Sequence, residues 1–292
     1  MKYEAIEQYN KCFTVKKMCK VFGINPSNYY RWKRNKKKKE DKTREQIKVV
    51  RQIEKIFKES DKTYGYRAIQ AELRKQGIEL SEYRIRKIMR ENGFYPETRK
   101  KYRPSHNGKT DGRYHANHLQ QKFKVEKKNQ VWVGDITYIK TKIGWVYLAA
   151  VIDLYNREVI GYALSKTIDT ELVKQALGNA IGRQGVKKGL LFHSDRGSQY
   201  ASKGYEKMLK ENGIKGSMSR SGCPYDNSCI ESFFATLKKE RVYRRNYDTM
   251  KEVRQDMFRY IELFYNRKRL HSVLGYMSPV EYRLKYDVEK VA

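Results

Sequence analysis

Apolar residues in the first ninety positions recur at the three- and four-residue spacing of buried helix faces. Val15, Met18, Cys19 and Phe22 follow Thr14, a helix-capping residue, and Gly23 stops the pattern. Pro26 or Ser27 opens a second helix that carries Tyr29, Tyr30, Arg31 and Trp32 and runs on into Lys33 and Arg34. Helix, glycine turn, then basic aromatic helix is a helix-turn-helix pattern. The run Lys36 to Lys39, followed by Glu40, Asp41 and Lys42, reads as a charged linker. Helical spacing returns at Ile47, Val50, Ile53, Ile56 and Phe57. Tyr64-Gly65-Tyr66-Arg67 opens a helix through Ile69 and Leu73, which Gly77 breaks. Ser81 caps another with Tyr83, Ile85, Ile88 and Met89.

From Val131 the pattern changes. Segments 131–140 and 144–153 are rich in β-branched and aromatic residues and predict strands, and 157–165 predicts a third that completes an antiparallel meander. Helices are predicted over 170–181, 202–211 and 228–243, with short strands at 189–193 and 214–217, and further helices at 248–266 and 278–286. The order β-β-β-α-β-α-β-α is that of an RNase H-like fold, a mixed five-stranded sheet with helices. The predicted organisation is a helix-turn-helix domain (1–40), a second all-α domain (43–95), a basic linker (96–124, with Pro104, Gly108 and Gly112), an α/β core (125–243) and a C-terminal helical extension (244–292).

Charge adds a partner to this picture. Lys and Arg number 64 against 33 Asp and Glu, a net +31 in 292 residues. Such a surplus opposes compaction and makes sense beside a polyanion. The first 128 residues hold 36 basic and 15 acidic side chains, so the excess concentrates there and nucleic acid is the expected partner. No apolar run is long enough to span a bilayer, and the N-terminus lacks the apolar core of a signal peptide. A cytoplasmic, nucleoid-associated location is expected. Cys12, Cys19, Cys223 and Cys229 form no CxxC pair, and neither they nor His115 and His118 have zinc-finger spacing, so free thiols are expected.

Three carboxylates stand at informative places. Asp135 lies in the first strand, in Trp-Val-Gly-Asp-Ile-Thr-Tyr-Ile. Asp195 follows the fourth, in Phe-His-Ser-Asp-Arg-Gly-Ser-Gln-Tyr. Glu231 lies one turn into a helix, in Asp-Asn-Ser-Cys-Ile-Glu-Ser-Phe-Phe-Ala-Thr-Leu-Lys. A charge beside an apolar core is costly unless it is paired or metal-bound. Thirty-five residues separate Asp195 from Glu231. These segments, with Tyr64-Gly65-Tyr66-Arg67, the run Arg269 to Tyr276 and Ser278-Pro279, resemble the DDE integrase-core transposases of bacterial insertion sequences, of the second-reading-frame (OrfB) type. Retroviral integrases are distant relatives with the same gap.

The resemblance implies metal-dependent DNA cleavage and strand transfer at the ends of a mobile element. Asp135, Asp195 and Glu231 would be the catalytic and metal-binding residues. Asp135 would bridge two magnesium ions, for which manganese can substitute, and Asp195 and Glu231 would each complete one. No covalent protein–DNA intermediate is needed, so none of the 24 tyrosines is assigned as a nucleophile. Lys238 lies two helical turns after Glu231 on the same face, and the resemblance assigns a basic residue there to terminal DNA; Lys239 points elsewhere. Tyr29, Arg31, Lys33, Arg34 and Arg67 are the further candidate DNA contacts. Asp153 is read as an Arg157 partner or turn former, and Asp226 as a helix cap or loop organiser. His193, Ser194 and Gln199 are read as supports of Asp195 or DNA contacts, and Trp132, Trp145, Phe233 and Phe234 as core. Two DNA ends must meet, so a homo-oligomer is expected, with an upstream-frame (OrfA) product as partner or fusion. The rival readings are an RNase H-like nuclease without strand transfer, for which no fourth carboxylate motif is present, and a non-enzymatic helix-turn-helix regulator.

Overall fold

The computed structural model describes residues 1–97 and 114–288, so Pro104, Gly108 and Gly112 of the expected linker lie outside the described residues. Two compact units divide the chain at Pro96 and Glu97.

In the first unit, helix α1 spans Lys2–Tyr9, α2 Val15–Phe22 and α3 Pro26–Glu59. Gly23 takes φ +66°, a left-handed conformation that closes α2. Asn25 caps α3 by accepting from the Ser27 N–H, and Pro26 takes the first helical position, where its missing N–H costs nothing. Ile6, Met18, Cys19 and Tyr29 form a small core, with Tyr3 and Trp32 packed against it. The charged linker expected at 36–42 is a correction. α3 runs through it without a break, because Lys, Arg and Glu are good helix formers and no Gly or Pro interrupts them. The far end of α3 buries Val49, Ile53, Ile56 and Phe57 in a second core with α4 (Tyr66–Lys75) and α5 (Glu82–Glu91). Ile47 and Tyr83 are exposed, one step off the buried face.

In the second unit the sheet order is β3-β2-β1-β4-β5, built from β1 (Val131–Thr141), β2 (Gly144–Asp153), β3 (Val159–Ser165), β4 (Leu191–Ser194) and β5 (Lys215–Met218). The first three strands form the antiparallel meander, whereas β4 runs parallel to both β1 and β5. This is the mixed five-stranded RNase H-like arrangement. Side chains alternate across a strand, so β1 feeds two cores. Trp132 joins the core beneath α6 (Thr170–Gln184) and α7 (Lys203–Glu211). Val133 and Ile139 face the core formed with α8 (Ser228–Glu240) and α9 (Met250–Phe258). α9 continues as a π-helical segment, Arg259–Tyr265, and α10 spans Pro279–Val288. No helix among the described residues is long and apolar enough to cross a membrane.

Residues 114–124, assigned to the linker from their charge, pack on the sheet edge instead. His118 N–H donates to Ser217 Oγ beside β5, and Leu119 is buried in the α8-side core.

Asp153 shapes a turn: its carbonyl accepts from the Arg157 N–H at 2.9 Å, and among the described residues its carboxylate forms no ion pair with Arg157. It accepts from the N–H groups of Asn129 (2.8 Å) and Tyr155 (2.9 Å). Burial pushes its carboxyl up to about 6 against those hydrogen bonds. A raised folded pKa contributes stability that is complete below about pH 4 and lost as pH rises through about 6, worth about 2 to 3 kcal/mol. Wild type should therefore lose about that much stability relative to Asp153→Asn between pH 4 and pH 8 in urea titrations. Parallel pH curves for the two proteins would contradict it.

Candidate active site

The sheet register brings two of the three carboxylates together. The last parallel pair between β1 and β4 is Gly134 with Ser194, and Asp135 and Asp195 are the next residues along the two segments. Neighbouring strands lie about 4.8 Å apart, so both acids leave the sheet side by side. Gly134 is required here, because a Cβ at that position would overlap the Phe192 ring. Asp135 shares its face of β1 with Val133 and Ile139, the face against which α8 packs, and α8 carries Glu231.

The electrostatics record this crowding. Burial holds the Asp135 carboxyl well above the usual range, and the charges of Asp195 and then Glu231 add to it, opposed by Lys238 and by the Ile136 N–H at 2.7 Å. Burial also raises Asp195, which accepts from the Gly197 N–H at 3.0 Å. Lys238 is half-buried and lowered by burial, with Asp135 working the other way; Lys239 beside it is exposed. Among the described residues no three His, Cys, Asp or Glu side chains could hold a single ion together. The donors come instead as an Asp–Asp pair with a glutamate on the facing helix. That donor set fits magnesium, which takes one or two carboxylates and completes its shell with water and phosphate oxygens.

The neighbours divide into supports and corrections. His193 is fully buried, with Nδ1 2.9 Å from Ser217 Oγ and Nε2 3.2 Å from Ser219 Oγ. Burial lowers it to about 4, so it stands neutral as a brace between β4 and β5. Ser194 beside it is buried as well, and its hydroxyl donates to the Asp195 carbonyl at 2.9 Å. Gln199 donates to the Ile168 carbonyl. Asp226 organises the loop and does not cap α8. It accepts from Arg220, from Asn117 (2.8 Å) and from Gln121 (2.7 Å), and Arg220 chiefly holds it well below the usual range. Trp132, Phe233 and Phe234 are core, but Trp145 is 46% exposed.

Two supporting residues were not singled out from the sequence. Asn227, buried one helical turn before Glu231, donates from Nδ2 to the Gly134 carbonyl at 3.4 Å and so ties α8 to the residue preceding Asp135. The i, i+4 spacing from Glu231 was its only signal. Arg269, noticed only as part of a motif, grips Glu240 at the end of α8 through Nη2 at 2.8 Å and Nε at 3.0 Å.

Integrase core domain models match residues 125–224 and 231–286, an HTH-like domain model matches 43–102 and a transposase model matches 1–63. The transposase InsF for insertion sequence IS3A of Escherichia coli (strain K12) is 36% identical over 287 residues, covering 98% of this chain and 99% of that protein. The chain belongs to the IS3-family transposases. The transposase for insertion sequence element IS904 of Lactococcus lactis subsp. lactis (strain IL1403) is 39% identical over 236 residues, covering 80% of this transposase and 92% of the relative. The catalytic core domain of BIV integrase is 19% identical with a TM-score of 0.43, covering 56% of this transposase and 99% of that chain.

The transposase displays its other candidate DNA contacts unevenly. Arg31, Lys33 and Arg34 are exposed on the first turns of α3. Arg67 is exposed on α4, its guanidinium 5.5 Å from the Tyr66 ring. Tyr29 is a correction: its helical phase turns it inward, and it is completely buried beside Tyr3 and Trp32. All four cysteines are free thiols.

Proposed function

We propose that Asp135, Asp195 and Glu231 carry the phosphoryl-transfer chemistry of this transposase and hold two magnesium ions, with manganese able to substitute. The adjacency of Asp135 and Asp195 where the parallel pairing of β1 and β4 ends supports the reading. Burial raises both carboxylates, the charge of Asp195 raises Asp135 further against the pull of Lys238, and divalent cations reverse that cost. Asp135 would contact both ions, with Asp195 and Glu231 each holding one. When bound, the ions supply Lewis-acid activation of the nucleophile and stabilisation of the leaving oxygen.

The chemistry is in-line exchange at phosphorus. In cleavage, a water oxygen bonds to phosphorus at the element end and the P–O3′ bond breaks, leaving a protonated 3′-OH. In joining, that 3′-OH bonds to a target phosphorus and the target's own P–O3′ bond breaks. Lys238 would neutralise terminal DNA phosphate beside Asp135. Two ends must be held together, so the working form is a homo-oligomer, with an upstream-frame product adding DNA recognition. The work is done on nucleoid DNA.

The test is a strand-transfer assay with magnesium or manganese, comparing wild type with Glu231→Gln on DNA carrying the element's ends. Joining lost with DNA binding kept is the expected result. Equal activity would remove Glu231 from the mechanism, and cutting without joining by wild type would favour a nuclease.

Arg31, Lys33, Arg34 and Arg67 would grip phosphates. Each phosphate contact contributes about 0.9 to the slope of log K against log salt. The Arg31/Lys33/Arg34 triple alanine variant should therefore bind duplex DNA with a slope shallower by about 3. An unchanged slope in fluorescence anisotropy would place the DNA elsewhere.

A further inference from the structure

Parallel pairing on the β4 side of β1 ends at Gly134, so from Asp135 onward that side has no strand beside it among the described residues. Lys238 reaches the residues that follow. Its Nζ lies 4.1 Å from the centre of the Tyr138 ring. Tyr138 in turn meets Trp145 at 5.2 Å with their planes at 87°. These two aromatics lie on the face of the sheet away from α8. On that face Tyr147 still reaches the core beneath α6 and α7, while Trp145, two residues nearer the hairpin tip, does not. Ile143 at the tip is 71% exposed.

An indole left nearly half in water, braced edge-to-face by a tyrosine that a lysine covers, keeps much of its ring available to a ligand. It suits a planar, electron-poor partner beside a phosphate. We propose that Trp145, supported by Tyr138 and Lys238, is a stacking site for an unpaired nucleobase of the DNA strand that is cut or joined. The proposal rests on the assignment of the chemistry to Asp135, Asp195 and Glu231. Aromatic stacking accepts any base, because every base has a π face, and the lysine supplies the counter-charge for the attached phosphate. Tyr138 is three residues past Asp135, and Trp145 is registered with Lys140, five past it. At about 3.4 Å per strand residue that is roughly 10–17 Å from the carboxylate, or about three to five nucleotides of strand. The stacked base would sit within that distance of the scissile phosphate, held out of the duplex while the cleaved end is presented.

The test uses the full chain and a duplex carrying the terminal sequence of its own element. A single abasic nucleotide is placed in turn at each position flanking the scissile phosphate. On the intact duplex, Trp145→Ala should slow cleavage on the order of ten-fold, and Trp145→Phe should keep most of the rate. At one abasic position within about five nucleotides of the cut, wild type should slow to the Trp145→Ala rate, and the two proteins should become equal. If the Trp145→Ala loss is the same at every abasic position, its role is structural and the stacking site is overturned. Full activity of Trp145→Ala overturns it as well. Glu231→Gln, measured alongside, reports separately. Cleavage retained there overturns the carboxylate assignment, whereas an inactive Glu231→Gln with position-independent Trp145 losses overturns the stacking site alone.

Discussion

Glu231→Gln and Asp135→Asn should each lower strand transfer on the order of a thousand-fold, the loss of several kcal/mol of metal-borne transition-state stabilisation. DNA binding should persist, because the exposed cations of α3 and α4 lie on other elements. The two variants should differ in stability. Burial and the charge of Asp195 raise Asp135 in the folded state, so its contribution is complete below the ordinary carboxylate range and is lost as pH rises through the raised value. At neutral pH in chelator, Asp135→Asn removes that cost and should melt higher than wild type. With magnesium, wild type should gain stability and Asp135→Asn should gain little, because binding to the folded state alone is what raises Tm. Thermal melts with and without magnesium read both effects. A wild type indifferent to magnesium would falsify the metal assignment directly.

Arg269→Ala should destabilise the second unit by about 3–5 kcal/mol. Glu240 ends the helix that carries Glu231 and Lys238, and its carboxylate receives the Arg269 fork together with the Tyr260 hydroxyl at 2.7 Å. The two charged side chains are only 20% and 14% exposed. Truncating the arginine leaves a carboxylate with little water and one remaining donor. For a unit of this size Tm should fall by about 6–20 °C. Arg269→Lys should recover only part of the loss, since an ammonium cannot reproduce the fork. A shift below about 1 kcal/mol in denaturant titrations would mean that the pair does not brace the helix.

Both predictions bear on how far local patterns reach. β1 and β2 were legible because β-branched and aromatic residues fill them, the start of α3 because Pro26 opens it, and the cap of α5 because Ser81 writes it locally. The candidacy of Asp135 and Asp195 was visible in their strand-end settings. Their adjacency was not, because it depends on parallel pairing between segments about sixty residues apart. Helical phase explains Tyr29, and place along the strand explains Trp145. One residue of helical rotation turns Tyr29 into a core, and position at the uncovered end of β2 leaves Trp145 in water. At 36–42 charge density masks a helix that no breaker interrupts, and at 114–124 it hides a segment that packs through Leu119 and through N–H groups donated to the Ser217 hydroxyl. The π-helical stretch after α9 was invisible, since its apolar spacing differs little from that of an ordinary helix.

The uninterrupted α3 has a consequence of its own. Its 34 residues make a rod about 50 Å long with a separate small core at each end. Such a rod is ruler and protractor at once. Between Tyr29 in one core and Ile53 in the other it sets a separation of about 36 Å along the axis, a span comparable to about eleven base pairs. It also sets their rotation about the common axis, about 100° for every residue. In a flexible tether an inserted residue would be absorbed. Here it would swing one core more than a quarter-turn around the other, so the unremarkable lysines and glutamates between them keep count for the pair.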